Sequence, residues 1–243
     1  MDDRQNGKRT LVIGCMPLGG SAVLISTVAI RQDNSAHGED NYLVRALDGH
    51  ASLDAIMDGV TRRGGRQATR LLLDALALAP LLSAGDMVAV LEKVNQQLYQ
   101  IGGGRFLLTT VSTALCLDGK LSIVGVGDSS AFVIRGDTTQ HLYSPMRGVF
   151  LGARAQLMGL YRAEVMIEPG DRLVLATDGV TDNITSSELV EIVRHTASPH
   201  EAAEQLNTIM ARRSAEERPP TPLRSRFRDD DWTAIVRFFS AAS

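Results

Sequence analysis

The sequence predicts an α+β fold in which mainly antiparallel sheets are covered by helical layers, and three observations predict it. Apolar runs rich in β-branched residues come in two groups, each followed by amphipathic helical stretches, and a last such run closes the chain. Short turns join most neighbouring runs, which suits antiparallel pairing because a parallel pair needs a long crossover. The helices arrive in batches, so they belong to layers lying on sheets and not to alternating βαβ units. At 243 residues the chain reads as one domain spanning 1–243.

The elements follow in order. Thr10–Cys15 and Ala22–Ile30 read as strands separated by a glycine-rich turn. Tyr42–Leu47 and Ser52–Met57 form a hairpin across Asp48-Gly49-His50. Gln67–Leu78 sets Leu71, Leu72, Ala75 and Leu78 on one helical face, and Asp86–Ile101 does the same with Val90, Leu91, Val94 and Leu98. Gly102-Gly103-Gly104 ends the second helix. Thr110–Leu117, Leu121–Gly127 and Ser130–Ile134 are strands, with Asp118-Gly119 as a tight turn. His141 to Leu160 is less regular. Arg162–Ile167 and Arg172–Thr177 are strands with Glu168-Pro169-Gly170 as the turn, and Ser186–His195 and Pro199–Arg212 are helices. Residues 211–229, rich in Arg, Pro and Ser, read as an exposed loop, and Trp232–Phe239 is the last strand.

Composition narrows the function. Lys plus Arg is 25 and Asp plus Glu is 28, a net charge of −3, which argues against a nucleic-acid partner held by overall charge. Two cysteines, Cys15 and Cys116, support neither a disulfide framework nor a thiolate zinc site, so a reducing, cytoplasmic setting is expected. Leu11 to Ile30 carries no charge over twenty positions, but Pro17, Gly14, Gly19 and Gly20 and several hydroxyls break it, so no membrane span is expected.

The informative feature is a series of aspartates at strand ends. Asp40 opens one strand, Asp58, Asp128 and Asp178 each close one, and Asp230 stands just before the last. Any one alone reads as a solvated turn residue. Together, carboxylates converging on one edge would repel each other and raise their own pKa values, a conflict that a divalent cation removes. Oxygen ligands without His or Cys select Mg²⁺ or Mn²⁺. Two such ions can acidify a water and polarise a phosphoryl oxygen for in-line attack, with no nucleophilic side chain.

The order Gly38-Glu39-Asp40, Asp58-Gly59 with Gly64-Gly65, Val111-Ser112-Thr113-Ala114, Val126-Gly127-Asp128-Ser129, Gly170-Asp171 with Thr177-Asp178-Gly179, and Asp230-Asp231-Trp232-Thr233 resembles the metal-dependent serine/threonine protein phosphatases, the PPM or type 2C family, in its bacterial form. The resemblance runs from about residue 22 to 239. It implies a four-layer α/β/β/α sandwich with two metals in a cleft at one end of the sheets. By matching position, Asp40 and Asp58 would ligate the first metal, Asp58 bridging both, with the Gly59 carbonyl joining. Asp178 and Asp230 would complete the second, and Glu39 and Asp128 would act through the ligands. The implied activity is hydrolysis of phosphoserine and phosphothreonine in proteins, with a cognate Ser/Thr kinase as a possible partner.

The sequence also departs from that pattern. No arginine stands just before the first acidic pair, so Arg31, Arg62, Arg63 and Arg66 are the candidates for binding phosphate. Leu107, Leu108, Thr109 and Thr110 occupy the region where many bacterial members carry a third-metal aspartate, so two ions are expected. Val60 replaces the family histidine after Asp-Gly, so water or another group must protonate the leaving oxygen. These departures keep a second reading in play, a low-activity or pseudo-phosphatase module that binds or regulates. A third keeps the metals and takes a small phosphate ester.

Overall fold

The computed structural model describes residues 24–47, 51–142, 147–216 and 228–242. The strand expected at Thr10–Cys15 and the turn Asp48-Gly49-His50 lie outside the described residues. The strands are β1 (Leu24–Asp33), β2 (Asn41–Leu47), β3 (Ala51–Met57), β4 (Val111–Leu117), β5 (Lys120–Val126), β6 (Ser130–Arg135), β7 (Thr138–Leu142), β8 (Tyr161–Met166), β9 (Arg172–Ala176) and β10 (Trp232–Ala241). The helices are α1 (Gly65–Leu78), α2 (Ala84–Gly102), α3 (Asp178–Thr181), α4 (Ser186–His195) and α5 (Pro199–Glu216).

Two five-stranded sheets result, in the orders β1-β10-β9-β6-β7 and β2-β3-β4-β5-β8, and every pairing is antiparallel. Three apolar layers hold them. Leu53, Ala55 and Met57 of β3 pack against Leu72 and Leu76 of α1 and Leu91 and Leu98 of α2. Ile56, Ile123, Val133, Leu175 and Ile235 meet between the sheets. Val174 and Val236 meet Val180, Leu189 and Leu206 on the far side. The expected α/β/β/α sandwich is therefore present. Both faces of the central strands are covered, which is why they read as unbroken apolar runs.

One charged pair lies inside. Arg237 of β10 and Asp54 of β3 are essentially inaccessible, and the guanidinium donates two bonds of 2.7 Å to the two carboxylate oxygens. A third donation reaches the Ser26 hydroxyl at 2.7 Å. The pair joins one sheet to the other.

Three differences from expectation have physical causes. β7, which begins in the stretch after Ile134 given no element and runs into the segment from His141 expected to be irregular, is a polar, exposed edge strand on β6 without an apolar face to announce it. α3 is a single turn, too short for a periodic signal. Residues 211–216 continue α5 instead of opening a loop, and Arg213 is buried there on the Asn183 carbonyl and Glu188. The rest of that expected loop up to residue 227 lies outside the described residues. Among the described residues, no helix is long and apolar enough to cross a membrane.

Candidate metal centre

The aspartates meet at one end of the sandwich. Asp40 precedes β2, Asp58 follows β3, Asp128 lies just past β5, Asp178 opens α3 directly after β9, and Asp230 stands two residues before β10. Antiparallel order brings these ends together, since the start of each strand lies beside the end of its neighbour.

Asp40 is fixed by two hydroxyls. Thr233 donates to its Oδ2 at 2.7 Å and Thr177 at 3.0 Å. Its Oδ1 is buried and has no hydrogen-bond partner, as is Oε2 of Glu39. Burial pushes the Asp40 carboxyl up to about 7, against the two hydroxyl bonds, and the charges of Asp231 and Asp178 add to the rise. The loop delivering Glu39 and Asp40 is clamped by Asp231, whose two oxygens accept from the amides of His37 at 2.9 Å and Glu39 at 2.6 Å. Arg66 holds the same loop from α1 by donating to the carbonyls of Gly38 and His37, both at 2.9 Å.

Asp58 is positioned through its backbone. Its carbonyl accepts from the Thr110 amide and the Thr109 hydroxyl, each at 2.8 Å. Gly59 then crosses the start of α1 so closely that a Cβ on it would sit 2.5 Å from the Gly65 carbonyl carbon. Only two facing glycines fit there, which explains Asp58-Gly59 and Gly64-Gly65 as one unit. Burial raises the Asp58 carboxyl well above its ordinary value, and the charges of Asp40, Asp178, Asp230 and Asp128 raise it further. All five strand-end aspartates thus share one electrostatic neighbourhood.

Arg228 occupies the other half of the cleft. Its guanidinium reaches Asp178 at 2.8 Å, Asp182 at 2.5 Å and Asp230 at 2.9 Å. Burial pushes Asp178 up to about 6; Arg228 opposes the rise, and Asp128, Asp182 and Asp230 add to it. Burial alone would lower the guanidinium, but Asp178, Asp182 and Asp230 hold its pKa above the usual value. His37 Nδ1 lies 3.3 Å from the Asp230 carboxylate.

Among the described residues, no three His, Cys, Asp or Glu side chains already form a metal-sized cage. The donor set nevertheless suits hard cations. It consists of carboxylates that raise one another's pKa, with one aspartate oxygen and one glutamate oxygen buried and unsatisfied.

The four candidate arginines separate. Arg31 is mostly buried and pairs with Glu204 of α5. Arg66 is the strut just described. Arg62, in the left-handed region at φ 63°, and Arg63 lie exposed on the turn after Asp58. Sequence reasoning gave no role to Thr177, Thr233, Asp231, Asp182 or Arg228. Thr177, Asp231 and Thr233 stand inside the quoted motifs beside the aspartates, which was the available signal. Asp182 and Arg228 had none.

The profile of the stage II sporulation protein E (SpoIIE) family matches residues 65–239. Solved structures share the fold. PppA, described as a key regulatory component of T6SS in Pseudomonas aeruginosa, is 22% identical with a TM-score of 0.73, covering 88% of this chain and 97% of its own. Serine/threonine phosphatase Stp1 from Staphylococcus aureus is 18% identical with a TM-score of 0.73, covering 98% and 99%. The catalytic domain of the serine threonine protein phosphatase PstP, solved with two manganese ions, is 20% identical with a TM-score of 0.70, covering 89% and 99%. No curated protein matches the chain by sequence. With most of its length under that profile and a sandwich that overlays these phosphatases end to end, the chain belongs to the SpoIIE family of PPM-type phosphatases.

Proposed function

We propose that this chain is a Mg²⁺- or Mn²⁺-dependent phosphatase that hydrolyses phosphoserine and phosphothreonine in cytoplasmic proteins, opposing a cognate kinase. The observation that carries the reading is that the charges of Asp40, Asp128, Asp178 and Asp230 converge on buried Asp58, with one Asp40 oxygen buried and unsatisfied. Asp40, Asp58 and the Gly59 carbonyl would hold one ion, with Asp58 shared, and Asp178 and Asp230 the other. Such ions supply an acidified water and a polarised phosphoryl group. The chain's own residues do the rest. Thr177 and Thr233 orient Asp40, Asp231 and Arg66 hold its loop, and Asp128 adds negative charge beside Asp58 and Asp178. Arg62 and Arg63, exposed on the turn after Asp58, would supply the guanidinium for the phosphate, because Arg31 is engaged by Glu204. The PstP structure with two manganese ions supports the choice of metal.

The test is hydrolysis of an aryl phosphate and of a phosphopeptide with Mn²⁺. Activity is expected to vanish with EDTA and in Asp58→Ala; turnover that survives either would refute the mechanism.

Arg228 favours a second reading. A guanidinium shared by Asp178, Asp182 and Asp230 could replace the second cation permanently, leaving a binding or regulatory module. PppA is described as a regulatory component, which supports keeping this alternative. Calorimetric titration separates the two, because a permanent arginine leaves at most one tight divalent site.

A further inference from the structure

We infer that the arginines beside the aspartate cleft form a docking rim for phosphorylated protein segments whose neighbouring residues are Asp and Glu. Arg62, Arg63, Arg66 and Arg105 are all exposed. Among the described residues, no carboxylate lies within ion-pair reach of any of them. Several other arginines do have a carboxylate partner: Arg70 has Asp74, Arg135 has Glu168 and Asp171, Arg194 has Glu191 and Arg213 has Glu188. Four unneutralised guanidinia on one face of an acidic protein make a local positive field that attracts anions.

The rim is held in shape and next to the cleft. The turn after Asp58 and the segment after α2 are laced by backbone bonds, from Val60 N to the Leu108 carbonyl at 3.0 Å and from Leu107 N to the Arg63 carbonyl at 2.5 Å. Arg63 also donates to the Arg105 carbonyl at 3.2 Å. The same segment anchors Asp58 through Thr109 and Thr110. The charges therefore sit on a scaffold that loses little freedom on binding. Arg62 is four residues from Asp58, a backbone reach of at most about 14 Å. A phosphorylated residue in the cleft thus brings the next few residues of an extended segment under the guanidinia. Phe106, 55% exposed, and Ile101, 61% exposed, give the rim an apolar margin suited to a polypeptide.

The choice of ligand rests on the phosphoprotein reading, so the experiment measures binding apart from turnover. Fluorescence anisotropy in EDTA compares labelled peptides with one phosphoserine flanked by three glutamates or by three lysines. The glutamate peptide is expected to bind about tenfold tighter at low salt. That ratio should fall to one or invert in Arg62→Glu/Arg105→Glu and persist in Arg62→Lys/Arg105→Lys. Equal binding, stronger binding of the lysine peptide, or a ratio that survives charge reversal would overturn the proposal. So would equal retention by vesicles of phosphatidylserine, which would assign the face to a membrane. A parallel Mn²⁺ turnover assay keeps the readings apart: binding preference without turnover sinks the hydrolase, and turnover without preference sinks the rim.

Discussion

Replacing Arg228 with glutamine should tighten metal binding while weakening the metal-free fold. The guanidinium makes three contacts, to Asp178, Asp182 and Asp230, at 2.8, 2.5 and 2.9 Å. Its side chain is 43% exposed, so each contact is discounted toward the surface value of roughly 0.5–1 kcal/mol. The sum is about 2 kcal/mol, which a cation entering between Asp178 and Asp230 must first recover. Removing the arginine should therefore raise Mn²⁺ affinity at the weaker site by roughly thirtyfold, since each decade is about 1.4 kcal/mol. Without metal, the three carboxylates lose their counter-charge, and the melting temperature should drop by about 4–8 °C at about 2–4 °C per kcal/mol. Calorimetric titration of chelator-stripped protein reads the first effect and thermal melting in EDTA the second. Unchanged or weaker Mn²⁺ binding in Arg228→Gln would show that the guanidinium does not compete with the cation.

Three other outcomes are expected. In EDTA the protein should become less stable as pH rises from about 4 to 7, because Asp40, raised to about 7, and Asp178, raised to about 6, bind protons more tightly folded than unfolded. Melting curves across that range check it, with Mn²⁺ expected to remove the slope; a stability that rises with pH would contradict the sign. Arg237→Ala strands the Asp54 charge in the core and should cost about 3–5 kcal/mol in urea unfolding, whereas Asp54→Leu/Arg237→Met should cost less. A single-variant loss under about 1 kcal/mol would mean that the pair is solvated. Gly59→Ala forces its new methyl against Gly65 and should cost about 1–3 kcal/mol and weaken Mn²⁺ binding, both read by melting with and without metal.

Much of the architecture could be read along the chain because its causes are local. Ser186–His195 is bounded where expected, since Thr185 and Glu188 form a capping box within one turn. The central strands announce themselves because both faces are buried. β7 escaped notice because Thr138–Leu142 is held by backbone pairing to β6 and not by burial. The aspartates were legible as strand-end residues, but their support was not. Asp231 acts on amides 192 and 194 positions away, and Thr177 reaches Asp40 across 137. Likewise, nothing near Arg31 in sequence points to its pairing with Glu204, and nothing near Arg228 marks it as the charge between Asp178 and Asp230. Contacts of this kind are set by which strand ends the sheets bring together.

The Arg237–Asp54 pair has a consequence for alignment. Asp230 lies seven residues upstream of Arg237 on one sheet, and Asp58 four residues downstream of Asp54 on the other. The bidentate bond therefore works as a dowel through two boards, stopping one sheet from sliding over its neighbour. A slip of one residue would move the carboxylates apart by about 3.3 Å, more than the roughly 2.0–2.6 Å length of a Mg²⁺ or Ca²⁺ bond to oxygen. An apolar replacement of equal volume would keep the sheets stuck together but free to creep. The charge in the middle of the sandwich is thus a device for keeping distant acids in step.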